Sequence, residues 1–298
     1  MSATALRTAL SLALLLPASL LAQGDDWKAV DAAMGRTATV LPGGVHKFGM
    51  PRADLRVRIG AVTLRPTFAL GSWIAFQREG TQAMAMGDLV LLPSEVEPVR
   101  RSLQSSAIVP SALHNHLLNE SPHVMYMHVE AHGDAVQIAR AIRAALALTG
   151  TPATSGAATP VDSRLDTALI VNRLGYRGKV VGGVLQIAIA RQDSIRSGGM
   201  LIPPSMGVAT AINVQSAGRN LVAVTGDFVL AADEVQPVIN ALTANAIAVT
   251  ALHSHLLAEE PRLLFLHFYG VGAPDKLADG LRLALARTRV VAPVTPSP

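Results

Sequence analysis

Hydrophobic and polar positions change their period several times along the chain, and do so twice in the same order. "DWKAVDAAMG" (26–35) and "SRLDTALIVNRLG" (163–175) carry apolar residues three and four apart, which predicts a short helix opening each half. β-Branched and alternating runs follow, "LRVRIGAVTL" (55–64), "GSWIAFQ" (71–77) and "QAMAMGDLVLL" (82–92) in the first half, and these predict strands. "SEVEPVRRSLQSSA" (94–107) starts with a Ser followed by acids, an N-cap signature that predicts a helix capped by Ser94, and "ADEVQPVINALTANA" (232–246) is its partner. "IVPSALHNHLL" (108–118) and "HVMYMHVEA" (123–131) predict two strands joined by a short loop around Pro122, and "GDAVQIARAIRAALALTG" (133–150) an amphipathic closing helix.

A shift of 139 residues superposes 87–128 on 226–267 without a gap, and 20 of the 42 positions are identical. The same shift pairs Gly43, Gly44 and Val45 with Gly182, Gly183 and Val184, and Arg52 and Asp54 with Arg191 and Asp193. The expected organisation is a leader over 1–23, one repeat over 25–150, a linker over 151–161, a second repeat over 162–291 and a disordered tail over 292–298. Strands followed by a β-α-β-β-α order predict an α+β class. Each of the two homologous domains is then a mostly antiparallel sheet with helices packed on one face, its second half ferredoxin-like.

The chemistry sits in the repeated part. "ALHNHLLNESPHVMYMH" (112–128) and "ALHSHLLAEEPRLLFLH" (251–267) hold seven of the chain's nine histidines, six of them at identical spacing. Residues two apart on a strand share a face, so His114 and His116 project together. A turn near Pro122 then sets His116 opposite His128 and His114 opposite Glu130. Three imidazoles so placed can meet a cation, with Glu120 in the loop as a fourth ligand or, in an enzyme, as a free general base. His253, His255, His267 and Glu259 repeat the set, which gives one site per repeat and allows two triads to approach as a dinuclear centre.

The chain has no Cys, so a metal here is held by nitrogen and oxygen. That donor set suits a divalent transition metal. Zinc is favoured because it needs no redox partner, and Cu, Mn or Fe fit the same ligands. Met125 and Met127 face away from His128 and become Leu264 and Leu266, which makes them core filling. Asp88 and Asp227 follow Gly at a strand start, where a turn role is expected. Arg52 with Asp54, and Arg191 with Asp193, are expected to form structural ion pairs, or an Arg seat for a small anion. His46, His123 and His132 have no counterpart in the second half and are taken as incidental. Trp73 and Phe76 align with Ile212 and Gln215 and are read as packing or as a pocket lining of the first repeat.

Aromatic residues make up only 4% and no Lys/Arg run occurs, which excludes the stacking platforms and phosphate grips of nucleic-acid binders despite the formal charge of +4. The first 23 residues, "MSATALRTALSLALLLPASLLAQ", have one Arg, a short apolar run and small residues around Ala22, the pattern of a cleaved secretory signal. Periplasmic or secreted localisation follows, with no membrane span in the mature chain. His-x-His with a later Glu is also the first metal motif of cupins, but those are all-β and place the last His after further strands, so a cupin fold is not expected.

"GGVHKFGMPRADL", "GDLVLLPSEVEPV", "ALHNHLLNESP" and "MHVEAHGDA", with their second-half echoes, resemble the LppY/LpqO family of exported bacterial proteins over most of the chain. The resemblance implies export and a duplicated architecture, while an envelope protein as partner is expected from the reading of the chain as a cell-envelope module. It implies no reaction, because that family is a domain of unknown function. Three functional classes stand beside each other at this point. They are a metal-binding protein, a metal-dependent hydrolase or oxygenase-like enzyme using Glu as base, and a metal-free interaction module of the cell envelope.

Overall fold

The computed structural model describes residues 19–153 and 165–294. Most of the expected leader and linker, and residues 295–298 of the expected tail, lie outside the described residues. The first helix runs Ser19–Met34, so the end of the expected leader at residue 23 falls within it.

Each repeat is a six-stranded sheet in which every neighbouring pair is antiparallel. The spatial order in the first is Thr39–Leu41, Val45–Pro51, Gly71–Glu79, Gln82–Leu91, Met125–Gly133, Val109–His114. The second repeats it with Lys179–Val181, Val184–Ile189, Thr210–Gly218, Leu221–Leu230, Leu264–Gly272, Ala248–His253. Helix Pro93–Ser105 joins Gln82–Leu91 to Val109–His114, two strands with Met125–Gly133 inserted between them. This is a split β-α-β unit, the core of the ferredoxin-like pattern.

Alternation along the strands decides what each sheet face meets. Ile74, Phe76, Leu89, Met127 and Val129 point to one side, where they pack with Val99, Leu103, Ile138 and Ile142 of the helices and Val30 and Met34 of the opening helix. Met127 is therefore core. The other face of each sheet carries none of its own repeat's long helices and is covered by the other repeat, the short helix Pro66–Ala69 included. Val45, Ala75, Met84 and Met86 pack against Ile195, Ile202, Met206, Val208 and Phe265. In return Val57, Leu64, Phe68, Leu70 and Tyr126 pack with Val184 and Ala223. The molecule is thus layered helix, sheet, sheet, helix, with the two inner faces enclosed. That explains why Gln82–Leu91 is buried along nearly its whole length.

Several local expectations change. Residues 55–64 form only the two-residue strands Arg58–Ile59 and Val62–Thr63, because this segment leaves the sheet to cover the other repeat. Strand Val45–Pro51, interrupted by Gly49 and closed by Pro51, was not apparent from its pattern. Ser94 is not the cap of Pro93–Ser105. The N-cap is Leu92, whose N–H is accepted by the Glu95 carboxylate at 2.8 Å. Trp73 is paired with Asp88, and Ala211 with Asp227, so the true counterpart of Trp73 is Ala211, one residue off the 139 shift. The extra bulk of Trp73 reaches the backbone of Gly207 in the other repeat and receives the Lys47 ammonium 3.8 Å from its ring centre.

Arg52 and Arg191 are structural. Arg52 is fully buried and donates to Asp54 at 2.9 Å, to Glu95 at 2.7 Å and to the Val90 carbonyl at 2.7 Å. Arg191 donates to Asp193 at 2.9 Å, Glu234 at 2.6 Å and the Val229 carbonyl at 2.8 Å. With both guanidinium groups engaged this way, neither is left as an anion seat. Among the described residues no helix is long and apolar enough to cross a membrane.

Candidate metal centre

The strand carrying the first histidine is bulged. Pro110 is opposite Val129 and Ala112 opposite His128, leaving Ser111 as the extra residue. His114 consequently faces Tyr126, not Glu130, and Ala112 rather than His116 faces His128. The slip from the expected register is an even number of residues, so His114 keeps the expected face. Strand Val109–His114 ends before His116, which sits in the following loop and returns to that face by stacking on Tyr126 at 3.5 Å between ring centres. His255 does the same on Phe265 at 3.4 Å.

The inner sheet faces bring both triads together. His114 and His253 have ring centres 3.6 Å apart, His128 and His255 3.6 Å, and His116 and His267 3.9 Å. Within each repeat the spacing is wider: 5.0 Å from His114 to His116, 4.9 Å from His114 to His128, and 5.0 and 4.9 Å from His253 to His255 and His267. The histidine sets of the two repeats therefore meet, the approach that the sequence left open. They form one six-histidine cluster across the boundary between repeats. Reciprocal hydrogen bonds frame it, Ser111 to the carbonyl of His255 and Thr250 to that of His116, each 2.6 Å.

Two groups of donor atoms lie within 4.8 Å of one another, His114, His128, His253 and His255 across the repeats, and Asp88, His114, His116 and His128 within the first. The protonation pattern favours a cation. Nδ1 of His267 faces the carbonyl of Gly226 at 3.2 Å and Nδ1 of His114 that of Asn115 at 3.2 Å. A carbonyl only accepts, so Nδ1 holds the proton and Nε2 presents a lone pair. Nε2 of all six histidines is buried without a hydrogen-bond partner. Burial, reinforced by the neighbouring imidazoles, holds His116, His128, His255 and His267 well below the usual histidine range. Burial alone lowers His114 to about 4 despite its bond to Asn115, and burial followed by His114 lowers His253 to about 3. Neutral imidazoles with inward lone pairs are metal donors.

Asp88, expected in a turn, is in mid-strand, directly opposite His128, with Oδ2 3.5 Å from Nε2 of His116 and 3.8 Å from Nε2 of His128. Asp227 is opposite His267 in the same way. Burial raises Asp88 to about 8, with Asp227 adding to it, and raises Asp227 to about 7. Lys47 is pushed down to about 8 by burial, against the pull of Asp227 and Asp88. The sequence did contain a signal for these acids, since a charged residue interrupts two strands that are apolar on both faces.

Glu120 and Glu259 belong to neither donor group. Glu120 accepts the Val124 N–H at 3.3 Å and pairs with His123 at 2.5 Å through the same oxygen, Oε1, and its Oε2 has no partner. Glu259 accepts the Leu263 N–H at 2.9 Å and pairs with Arg262 at 3.2 Å. Both acids anchor the loop that presents His116 or His255, and Ile59 pairs with Glu120 to hold the loop further. His123 is therefore not incidental, since it does for Glu120 what Arg262 does for Glu259. His46 stacks on Trp27 at 3.9 Å on the helix side, away from the cluster.

These features define a tandem α+β protein whose two repeats enclose a histidine cluster compatible with a transition metal. The chain belongs to the family described as "Domain of Unknown Function (DUF1259)", whose profile matches residues 28–148 and again 168–287. No curated protein matches. Two solved structures are distantly similar. A trimeric bacterial microcompartment shell protein, PduB, has 10% identity and a TM-score of 0.23 over 86% of this chain and 96% of its own. EtuB from Clostridium kluyveri has 8% identity and a TM-score of 0.20 over 84% and 89%. Likeness at this level carries no argument about architecture or activity.

Proposed function

We propose that this is an exported protein that binds a divalent transition metal through the His-x-His…His sets of its two repeats. The observation that carries the reading is the set of six buried Nε2 atoms without partners, converging from both repeats. Leaving such groups unpaired is costly, and a cation satisfies several at once. Zinc is the first candidate, with Cu, Mn and Fe next, since imidazole and carboxylate donors serve all of them. Export to the periplasm or beyond is proposed from the leader-like residues 1–23 and from the LppY/LpqO resemblance. An envelope protein is proposed as a further partner of a chain so exported. The hydrolase or oxygenase reading with Glu120 or Glu259 as base is not adopted, because both acids are engaged in their loops.

Elemental analysis of protein purified without chelator tests the reading. The parent is expected to carry near-stoichiometric metal, and the double variant His116→Ala, His255→Ala to lose it while keeping its far-UV circular dichroism. Equal metal content in the two would defeat the assignment.

A further inference from the structure

The spacing of the six rings says how many ions the cluster takes, and this step rests on the metal reading above. An imidazole lone pair lies in the ring plane and points outward along the line from the ring centre through the nitrogen. Two imidazoles on one tetrahedral ion, at about 2.0–2.1 Å per nitrogen, therefore have ring centres about 5 Å apart. Within the repeats the observed spacings are 5.0, 4.9, 5.0 and 4.9 Å from the central His114 or His253 to its partners, and 6.0 Å between His255 and His267. Between repeats the closest pairs are 3.6, 3.6 and 3.9 Å apart. Rings at that distance lie against each other, and His128–His255 and His116–His267 are stacked with interplanar angles of 23° and 24°. The lone pairs of stacked rings run side by side, which makes the group His114, His128, His253 and His255 across the repeats the poorer set for a single ion.

Each triad thus has the spacing to hold its own ion. Because the two triads lie ring against ring, the two ions would be neighbours in one cluster. One four-coordinate ion would leave at least two buried imidazoles unsatisfied. Two ions use all six and find a carboxylate each, Asp88 opposite His128 and Asp227 opposite His267. Charge adds a further requirement. Two divalent cations with Lys47 nearby outweigh two carboxylates, and a buried excess of positive charge draws in an anion.

We propose that the cluster is a dinuclear centre, one cation on His114, His116 and His128 with Asp88, the other on His253, His255 and His267 with Asp227. The two are close enough to share a bridging small oxygen anion. Two-metal sites with separations of about 3.5–4 Å are built this way.

The test is a Cu(II) titration of the full chain after chelator treatment, followed by electron paramagnetic resonance. Two coppers per chain are expected, with a signal well below that of two isolated ions and a half-field transition from the coupled pair. The variant His267→Ala is expected to keep one copper, with the full signal of an isolated ion. Saturation of the parent at one copper, which the four-imidazole group across the repeats would give, overturns the inference and leaves the metal reading intact. So do two coppers with uncoupled spectra, or a folded His267→Ala that retains a coupled pair. Absence of any copper uptake removes the metal reading itself. An unfolded His267→Ala leaves the parent titration decisive.

Discussion

Ser111 donates its hydroxyl to the backbone carbonyl of His255, 2.6 Å away in the other repeat. The bond exists because a bulge frees Ser111 from the ladder beside His128 and turns it outward. Thr250 returns the same bond to His116, so each repeat holds the histidine loop of the other. Each hydrogen bond is expected to stabilise the fold by about 0.5–1.5 kcal/mol. Ser111→Ala with Thr250→Val should lower the urea midpoint accordingly, with an unchanged m-value. It should also weaken metal binding, since both loops lose their register. Loss of stability with unaltered metal affinity would separate the two roles and sink the second.

Arg52 makes its contacts with almost no water present. Replacing it by Met strands Asp54 and Glu95 and is expected to cost about 3–5 kcal/mol in urea unfolding. Arg52→Lys should recover little, because an ammonium lacks the planar fork that spans Asp54, Glu95 and the Val90 carbonyl. A Lys variant within about 1 kcal/mol of the parent, measured by the same unfolding experiment, would show that charge alone is what the site needs.

Metal-free protein should be acid-sensitive in a defined window. Histidines whose folded pKa lies below the ordinary 6.5 stay neutral while the unfolded chain takes up protons. Their contribution is complete above pH about 6.5 and is lost as pH falls toward the folded values, about 4 for His114 and about 3 for His253. The slope is on the order of 1.4 kcal/mol per pH unit for each histidine that remains neutral. Thermal melting of chelator-treated protein between pH 7 and 5 checks this. A flat melting temperature across that range would mean that the imidazoles are not buried.

Asp88 and Glu120 should behave as opposites. Asp88→Asn is expected to weaken metal binding about tenfold or more with little loss of fold, because its carboxylate faces His116 and His128. Glu120→Gln is expected to keep the metal stoichiometry and lower stability, because its carboxylate pairs with His123 and takes the Val124 N–H. Competition titrations with a chromophoric chelator, beside thermal melts of both variants, distinguish these outcomes. The reverse pattern would restore Glu120 as the ligand.

What the chain disclosed and what it hid divides along a physical line. The helices at 94–107 and 133–150, the strands at 71–77 and 82–92 and the tandem plan were visible, because periodicity reports which face of a segment is buried. The face shared by His114 and His128 was visible for the same reason. Hidden were features that depend on what the other repeat supplies. The bulge at Ser111 shifted the register without changing the face, so the pairing was misassigned while the convergence was not. His116 reaches the cluster from a loop, where strand alternation says nothing. Asp88 looked like a turn residue because Gly87 precedes it. Gly87 is required for another reason, since a Cβ there would lie 2.1 Å from Ile74 and 2.5 Å from the Trp73 carbonyl on the neighbouring strand. The meeting of the two triads is tertiary and has no periodic trace.

The mutual covering of the inner sheet faces bears on ancestry. A half-length forebear with one such sheet would have had a large oily side and half a histidine cluster, and only association with its own twin would have buried the one and completed the other. Joined in one chain, the two halves are free to differ where they meet, as Lys47 against Gln186 and Trp73 against Ala211 do. Co-expressed fragments 19–153 and 165–294 are accordingly expected to co-purify as a heterodimer.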